Sequence, residues 1–252
     1  MKTGEPGDGR RAISTPNDVL KDLLKQPKVK TTDQVVARMR LIDQTLPTRD
    51  GVAWFNKLYL KTTENVLAAV GEGFFKYPEL MSHLDIVFAN LYFQALHDSL
   101  HKPDGIPRAW RPLFSERSRR GIAPIQFAIA GMNAHINRDL AIAVVQSCKD
   151  MKMRPDARVK KDYDLVNPIL QSTQDEIKVW FATGFVGVLD EIFGRLDDVM
   201  ANWSIGRARD AGWVNSVLLW EIRDKRLLRS AFLQNMDHTV GFAGRGLLIP
   251  TA

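Results

Sequence analysis

Gly121-Ile-Ala-Pro-Ile-Gln-Phe-Ala-Ile-Ala-Gly-Met-Asn-Ala-His-Ile-Asn-Arg-Asp-Leu140 is the stretch on which the reading of this chain turns. It has the pattern of a helix that is apolar on nearly every side, and such a helix belongs in the middle of a protein. Yet it carries Gln126, Asn133, His135, Asn137, Arg138 and Asp139. Buried amides, imidazoles and carboxylates are costly unless each finds a partner. The pattern therefore predicts a central helix over about 124–150 and a polar site beside it.

The segments on either side extend the helical pattern. Thr15-Pro16 has the form of an N-cap followed by proline at the first helical position. Thr32-Asp33 opens a second helix that ends before Pro47. Further helices are predicted from about Val52 to Gly71 and from Pro78 to Leu100. A short one follows around 108–117. After the central helix comes a long region from Lys160 to Phe193, in which Pro168 should kink the helix or start a new one. The last two are predicted over about 204–223 and 225–240, before a glycine-containing tail. No run of period-two alternation bounded by turn signals and no internal repeat is found. The expectation is an all-α, single-domain bundle of about eight to ten helices over 15–252. It is preceded by a disordered basic arm at 1–14, where three glycines and a proline accompany little apolar content.

Bulk properties narrow the function classes. The 252 residues are 45% apolar and 25% charged, ordinary for a globular chain. No run of about 18 apolar residues predicts a membrane span. A single cysteine, Cys148, fits a reducing compartment, and no apolar leader is seen, so a cytoplasmic location is expected. The net charge is +6, but residues 1–30 hold seven Lys/Arg against four Asp/Glu, so half the excess lies in or near the arm. With no zinc-finger spacing or RNA-recognition signature, this argues against a nucleic-acid binder. The oligomeric state is left open.

Candidate chemistry starts from His135 and Asp139, which share a helix face at i, i+4. The pair could ligate a metal together, or the carboxylate could orient the imidazole as a base. At 100° per residue Gln126, Asn133 and Asn137 form a stripe on roughly the opposite side, so one helix would feed polar groups into two interfaces. The plain alternative is that both sets tie helices together. A second stripe joins His83, Asn90, Gln94 and His97 on the helix from Pro78, with Asp85 outside it. Tyr163 and Asn167 are also i, i+4. Arg209, Trp213 and Trp220 share a face, and Arg207 sits three residues from Asp210. The pairs Asp190-Glu191 and Asp197-Asp198 read as solvated faces without a diphosphate-binding pattern, and Arg245 in the tail could fold back onto a carboxylate. Serine-hydrolase, P-loop, dinucleotide and HExxH signatures do not occur. Cys148 shows no sign of activation as a nucleophile.

A resemblance accompanies these residues. Phe88-Ala-Asn-Leu-Tyr92, Pro107-Arg-Ala-Trp110, the run from Gln126 to Leu140, Asp162-Tyr163 with Val166-Asn167, Trp203-Ser-Ile205 and Val240-Gly241 with Arg245 look like the DUF5995 family, bacterial and often actinobacterial proteins. The likeness covers about 33–249 and implies one helical domain without supplying an activity. His135-x-x-x-Asp139-Leu140 is also similar to an element of the zinc-dependent phospholipase C and S1/P1 nuclease group, where both residues ligate metal. This chain lacks that group's later histidine and N-terminal tryptophan ligand, so at most one divalent ion, zinc first, is implied.

The leading expectation is therefore an enzyme acting on a small molecule by metal-assisted hydrolysis or addition–elimination. His135 and Asp139 would be ligands or base and orienter, and Asn90, Asn133, Asn137, Tyr163, Asn167, Trp203, Arg207 and Trp213 would contact substrate. One alternative is a metal-free cyclase or isomerase of specialised metabolism. The other is a non-catalytic ligand-binding or scaffold protein.

Overall fold

A computed structural model gives the fold for residues 15–183 and 204–250. All its elements are helical. They are α1 (Pro16–Leu24), α2 (Thr32–Thr45), α3 (Gly51–Gly71), α4 (Pro78–His101), α5 (Arg111–Glu116), α6 (Pro124–Ala134), a π-helical turn (His135–Asp139), α7 (Leu140–Asp150), α8 (Ala157–Thr183), α9 (Ile205–Glu221) and α10 (Arg226–Leu247). The run α6, π-turn, α7 is one continuous rod over 124–150. Its first half packs against α3 and α10 and its second half against α4 and α9. With the rod counted once, the described residues form nine helices, inside the range the sequence predicts.

Local chemistry sets the helix starts. Thr15 and Asp18 form a reciprocal capping box on α1, and Asp50 caps α3 by accepting from the Val52 amide at 2.9 Å. Asp162 fixes the turn that leads into α4 from a distance, its carboxylate accepting from the Lys76 and Tyr77 amides at 3.1 and 2.6 Å. The rod begins at Pro124, where the Gln126 side chain accepts from the Ala123 amide. Every residue from Ile125 to Ala134 is buried. Gly131 makes this packing possible, because a Cβ there would lie 2.3 Å from the Phe55 ring.

Of the two outcomes expected at Pro168, a new helix does not start there: α8 runs on through it, with the proline exposed, so the backbone bond its ring forbids is lost at the surface. The last helix does not stop at Val240 but continues to Leu247. Gly241 and Gly244 act there as contact points rather than stop signals. A Cβ on Gly241 would meet the Arg108 carbonyl oxygen at 2.5 Å, and one on Gly244 would press on Pro112 at 3.2 Å. Arg245 stays exposed and lies over the Phe242 ring at 5.8 Å rather than meeting a carboxylate. The arm at 1–14 lies outside the described residues.

Candidate functional site

The two polar faces of the rod have different fates. On the amide face, Gln126 donates to the carbonyls of Leu247 and Ile249, both at 2.9 Å. Asn133 donates to the Val240 carbonyl at 3.0 Å and accepts from Asn137 at 3.0 Å. These groups fasten the rod to α10 and its C-terminal end, which makes the i, i+7 and i+11 amide stripe a structural seam.

The opposite face is the π-turn. A π-turn adds a residue to the helical circuit, a distortion common at functional sites. His135 and Asp139 are 1% and 0% exposed and hydrogen-bonded to each other, Nδ1 to Oδ2 at 3.2 Å. The same Oδ2 accepts from the Trp110 indole at 2.9 Å, and Arg138 reaches Oδ1. Arg138 also pairs with Asp237 at 2.9 Å, which in turn accepts from the amides of Arg108 and Ala109. Asp139 is thus anchored by donors on three sides. With Nδ1–H directed at a carboxylate, Nε2 carries the lone pair. Burial lowers the imidazole pKa against the opposing pull of Asp139, so the ring is neutral near pH 7.

Aromatic rings fix the imidazole plane. Phe88 lies parallel to it with centroids 3.4 Å apart, and Tyr59 meets it on edge at 4.4 Å. Phe55, Tyr92 and Trp110 complete the cluster.

Beside the ring lies a cavity of about 70 Å³ between α3, α4, the rod, α8 and α9. Its walls are mainly apolar, formed by Met81, Leu84, Phe88, Met132, Ile136, Leu140, Val166 and Leu170. Four residues of the lining carry a sealed polar atom without a geometric hydrogen bond among the described residues, His135 Nε2, Tyr59 Oη, Thr63 Oγ1 and Asp85 Oδ2, and the Tyr59 and Thr63 hydroxyls lie close enough to interact with each other. Arg209 also lines it. Burial pushes the Asp85 carboxyl up to about 7, so near neutral pH it can give or take a proton. Burial, joined by the charges of Asp85 and Asp139, raises the Tyr59 phenol well above its ordinary value, with the Thr63 hydroxyl pulling the other way. Val66 on α3 and Leu84, Asp85 and Phe88 on α4 are the half-buried part of the lining.

Several predicted contact residues lie elsewhere or are engaged. Asn90 holds the chain at Val29, giving and accepting one backbone hydrogen bond at 3.0 and 3.1 Å. His83 meets Asp150 at 3.1 Å, Gln94 donates to Asp98, and His97 lies by Asp98 and stacks on His101. That stripe stays apart from the cavity. Tyr163 and Asn167 do come together, on Arg209: the phenol donates to the Arg209 carbonyl at 2.6 Å, and Asn167 accepts from Nε at 2.7 Å. Arg209 stacks on the Tyr163 ring at 4.1 Å instead of on an indole. Trp213 is buried against the other part of Tyr163, centroids 5.1 Å apart, and Arg207 is exposed. Trp203 and the acidic pairs at 190–191 and 197–198 lie outside the described residues. Cys148 is buried, which pushes its thiol up to about 12 and leaves it inert.

Sequence reasoning missed Tyr59, Thr63 and Asp85. The available signal was a lone carboxylate in the apolar run Leu84-Asp85-Ile86-Val87-Phe88. Met81, Leu84, Asp85 and Phe88, at i, i+3, i+4 and i+7, mark the face that lines the cavity.

The donor set fits a base better than a metal centre. Both Asp139 oxygens face donors already, so Asp139 cannot ligate an ion without giving these up. Among the described residues no group of three or more His, Cys, Asp or Glu side chains could hold an ion.

Fold and site together define a helical-bundle protein with a histidine–aspartate pair facing an internal cavity. The model of a family of unknown function, DUF5995, matches residues 32–250, and the chain belongs to that family. No curated protein and no solved structure matches it. The likeness to the zinc-dependent phospholipase C and nuclease group finds no support in these comparisons. No helix among the described residues is long and apolar enough to cross a membrane.

Proposed function

We propose that the chain is an enzyme that relocates protons on a small, largely apolar molecule held in this cavity, by isomerisation or addition–elimination. The observation that carries the reading is His135, a residue of the cavity lining whose buried Nε2 has no partner among the described residues while Asp139 holds the other ring nitrogen. That arrangement makes a base: Nε2 takes a proton from a substrate C–H or O–H, and Asp139 stabilises the imidazolium that forms. Asp85, protonated for about half the time near pH 7, returns a proton to a second substrate atom. The net change is a moved proton, or an elimination where that second atom leaves. Exchange with water on the α3–α4 side resets both groups. Preorganisation by Phe88, Tyr59 and Trp110 keeps the ring in one orientation through this cycle.

The test follows deuterium uptake from D2O into 2-butanone and 2-oxobutyrate by proton NMR. The wild type should exchange the protons next to the carbonyl faster than buffer does, and His135→Gln should fall to the buffer rate with unchanged circular dichroism and Tm. Equal rates for wild type, variant and buffer would refute the base.

A further inference from the structure

Arg209 is the group in this cavity that acid–base chemistry at His135 does not use. It is 6% exposed, and arginines are almost never this buried without a paired carboxylate. Here every partner is neutral. Nε donates to Asn167 at 2.7 Å, Nη2 donates to the Tyr163 carbonyl at 2.5 Å, and the guanidinium lies 4.1 Å above the Tyr163 ring. The third nitrogen, Nη1, has no partner among the described residues. The nearby carboxylates act on it only from beyond contact. Asp164 is held by Lys160 at 2.6 and 2.8 Å, and Asp210 faces the same lysine at 3.9 Å from the surface side. No carboxylate among the described residues lies within ion-pair distance of Arg209.

We infer that the cavity is built for a small monocarboxylate whose anionic end sits on Arg209. The guanidinium is fixed in place by three neutral contacts, so it offers a positioned charge without a resident counter-ion. Tyr59 and Thr63, whose hydroxyls interact with each other, are further polar residues of the same lining, and the apolar walls suit a short hydrocarbon chain. Size narrows the ligand further. A cavity of about 150 Å³ holds a benzene molecule, so one of about 70 Å³ encloses roughly three to five heavy atoms, and a four-carbon acid such as butyrate places the end of its chain past Val66 and Leu84. A carboxylate is preferred over a phosphate because one guanidinium and two hydroxyls balance one negative charge, not two. Asp85, the remaining acid of the lining, admits an anion in its protonated form, so affinity should fall as pH rises from 6 to 8.

That this carboxylate is the substrate rests on the proposed function; the anion site itself does not. Butyrate, butyramide and inorganic phosphate are titrated into the full chain by calorimetry at pH 6 and pH 8. Butyrate should bind saturably with one site, at least tenfold more tightly than butyramide or phosphate, and more tightly at pH 6. Arg209→Gln should weaken butyrate at least tenfold. Should that variant not fold, Val66→Trp, which fills the cavity from its half-exposed wall, should abolish binding instead. His135→Gln should keep butyrate binding while losing deuterium exchange, which separates a failed base from a failed anion site. Equal binding of butyramide, tighter binding of phosphate, no saturable butyrate heat, or undiminished binding by folded Arg209→Gln or Val66→Trp would overturn the inference.

Discussion

Replacing Asp85 by asparagine keeps the shape of the side chain and removes its titration, and the structure fixes the sign of the effect. Burial raises the native carboxyl from 3.8 to about 7. Between those values the unfolded chain has released a proton that the native chain still holds, so stability falls as pH rises through this window. About three pKa units at ~1.4 kcal/mol each set a ceiling on the order of 4 kcal/mol. Oδ2 is sealed, but the residue as a whole keeps some surface, and screening there brings the expected loss to roughly 2 kcal/mol. Urea unfolding of wild type and Asp85→Asn at pH 5, 6, 7 and 8 reads this directly, because every other group cancels in the difference. From pH 5 to pH 8 the difference should move by roughly 1–2 kcal/mol in favour of the variant, because the first part of the window lies below pH 5. A gap that is constant across pH, or that moves in favour of wild type as pH rises, would refute the buried, uncompensated carboxyl on which the acid role rests.

Three further outcomes are expected. The native imidazole of His135 resists protonation, so wild type should lose stability relative to His135→Gln as pH falls below about 6.5; the same urea series at pH 5 and 7 checks it. Trp110→Phe removes the indole donor at 2.9 Å from a carboxylate that is 0% exposed, and should cost about 1–3 kcal/mol in chemical denaturation without loss of helix content. Gly241→Ala places a methyl group 2.5 Å from the Arg108 carbonyl oxygen and forces α10 off the corner at 108–109; a loss of roughly 1–3 kcal/mol is expected, read as a lowered Tm.

The rod was readable because its signal is local. Nearly unbroken apolarity, proline at the first position and polar residues at helical spacing need no knowledge of neighbours. The 100° step placed the amides and the His–Asp pair on opposite faces, and the structure keeps them there: Asn133 faces Val240 while His135 faces Tyr59 and Phe88. What escaped the sequence depends on what packs where. Gly241 and Gly244 look like a helix end until Arg108 and Pro112 are set against them. Asp85 looks like a stray charge off the polar stripe until the half-apolar face around it closes over a cavity. The π-turn has no signature in residue type at all.

The same contrast explains why a polar residue on a buried helix is a poor guide to function by itself. Asn90, Asn133, Asn137 and Asn167 are all engaged with backbone or side-chain partners, and each such bond does what a buried amide needs. The informative atoms are those the fold leaves unmatched, because an unsatisfied buried group costs about 1–3 kcal/mol. Four of them belong to residues that line one cavity, together with a cation that has no carboxylate within ion-pair distance among the described residues. Ordered water can satisfy a hydroxyl or an imidazole nitrogen in a space of this size, but it cannot neutralise a guanidinium. The hydroxyls alone would be consistent with a wet core; Arg209 beside them is the group to which the inferred anion answers, and the butyrate titration decides between the two.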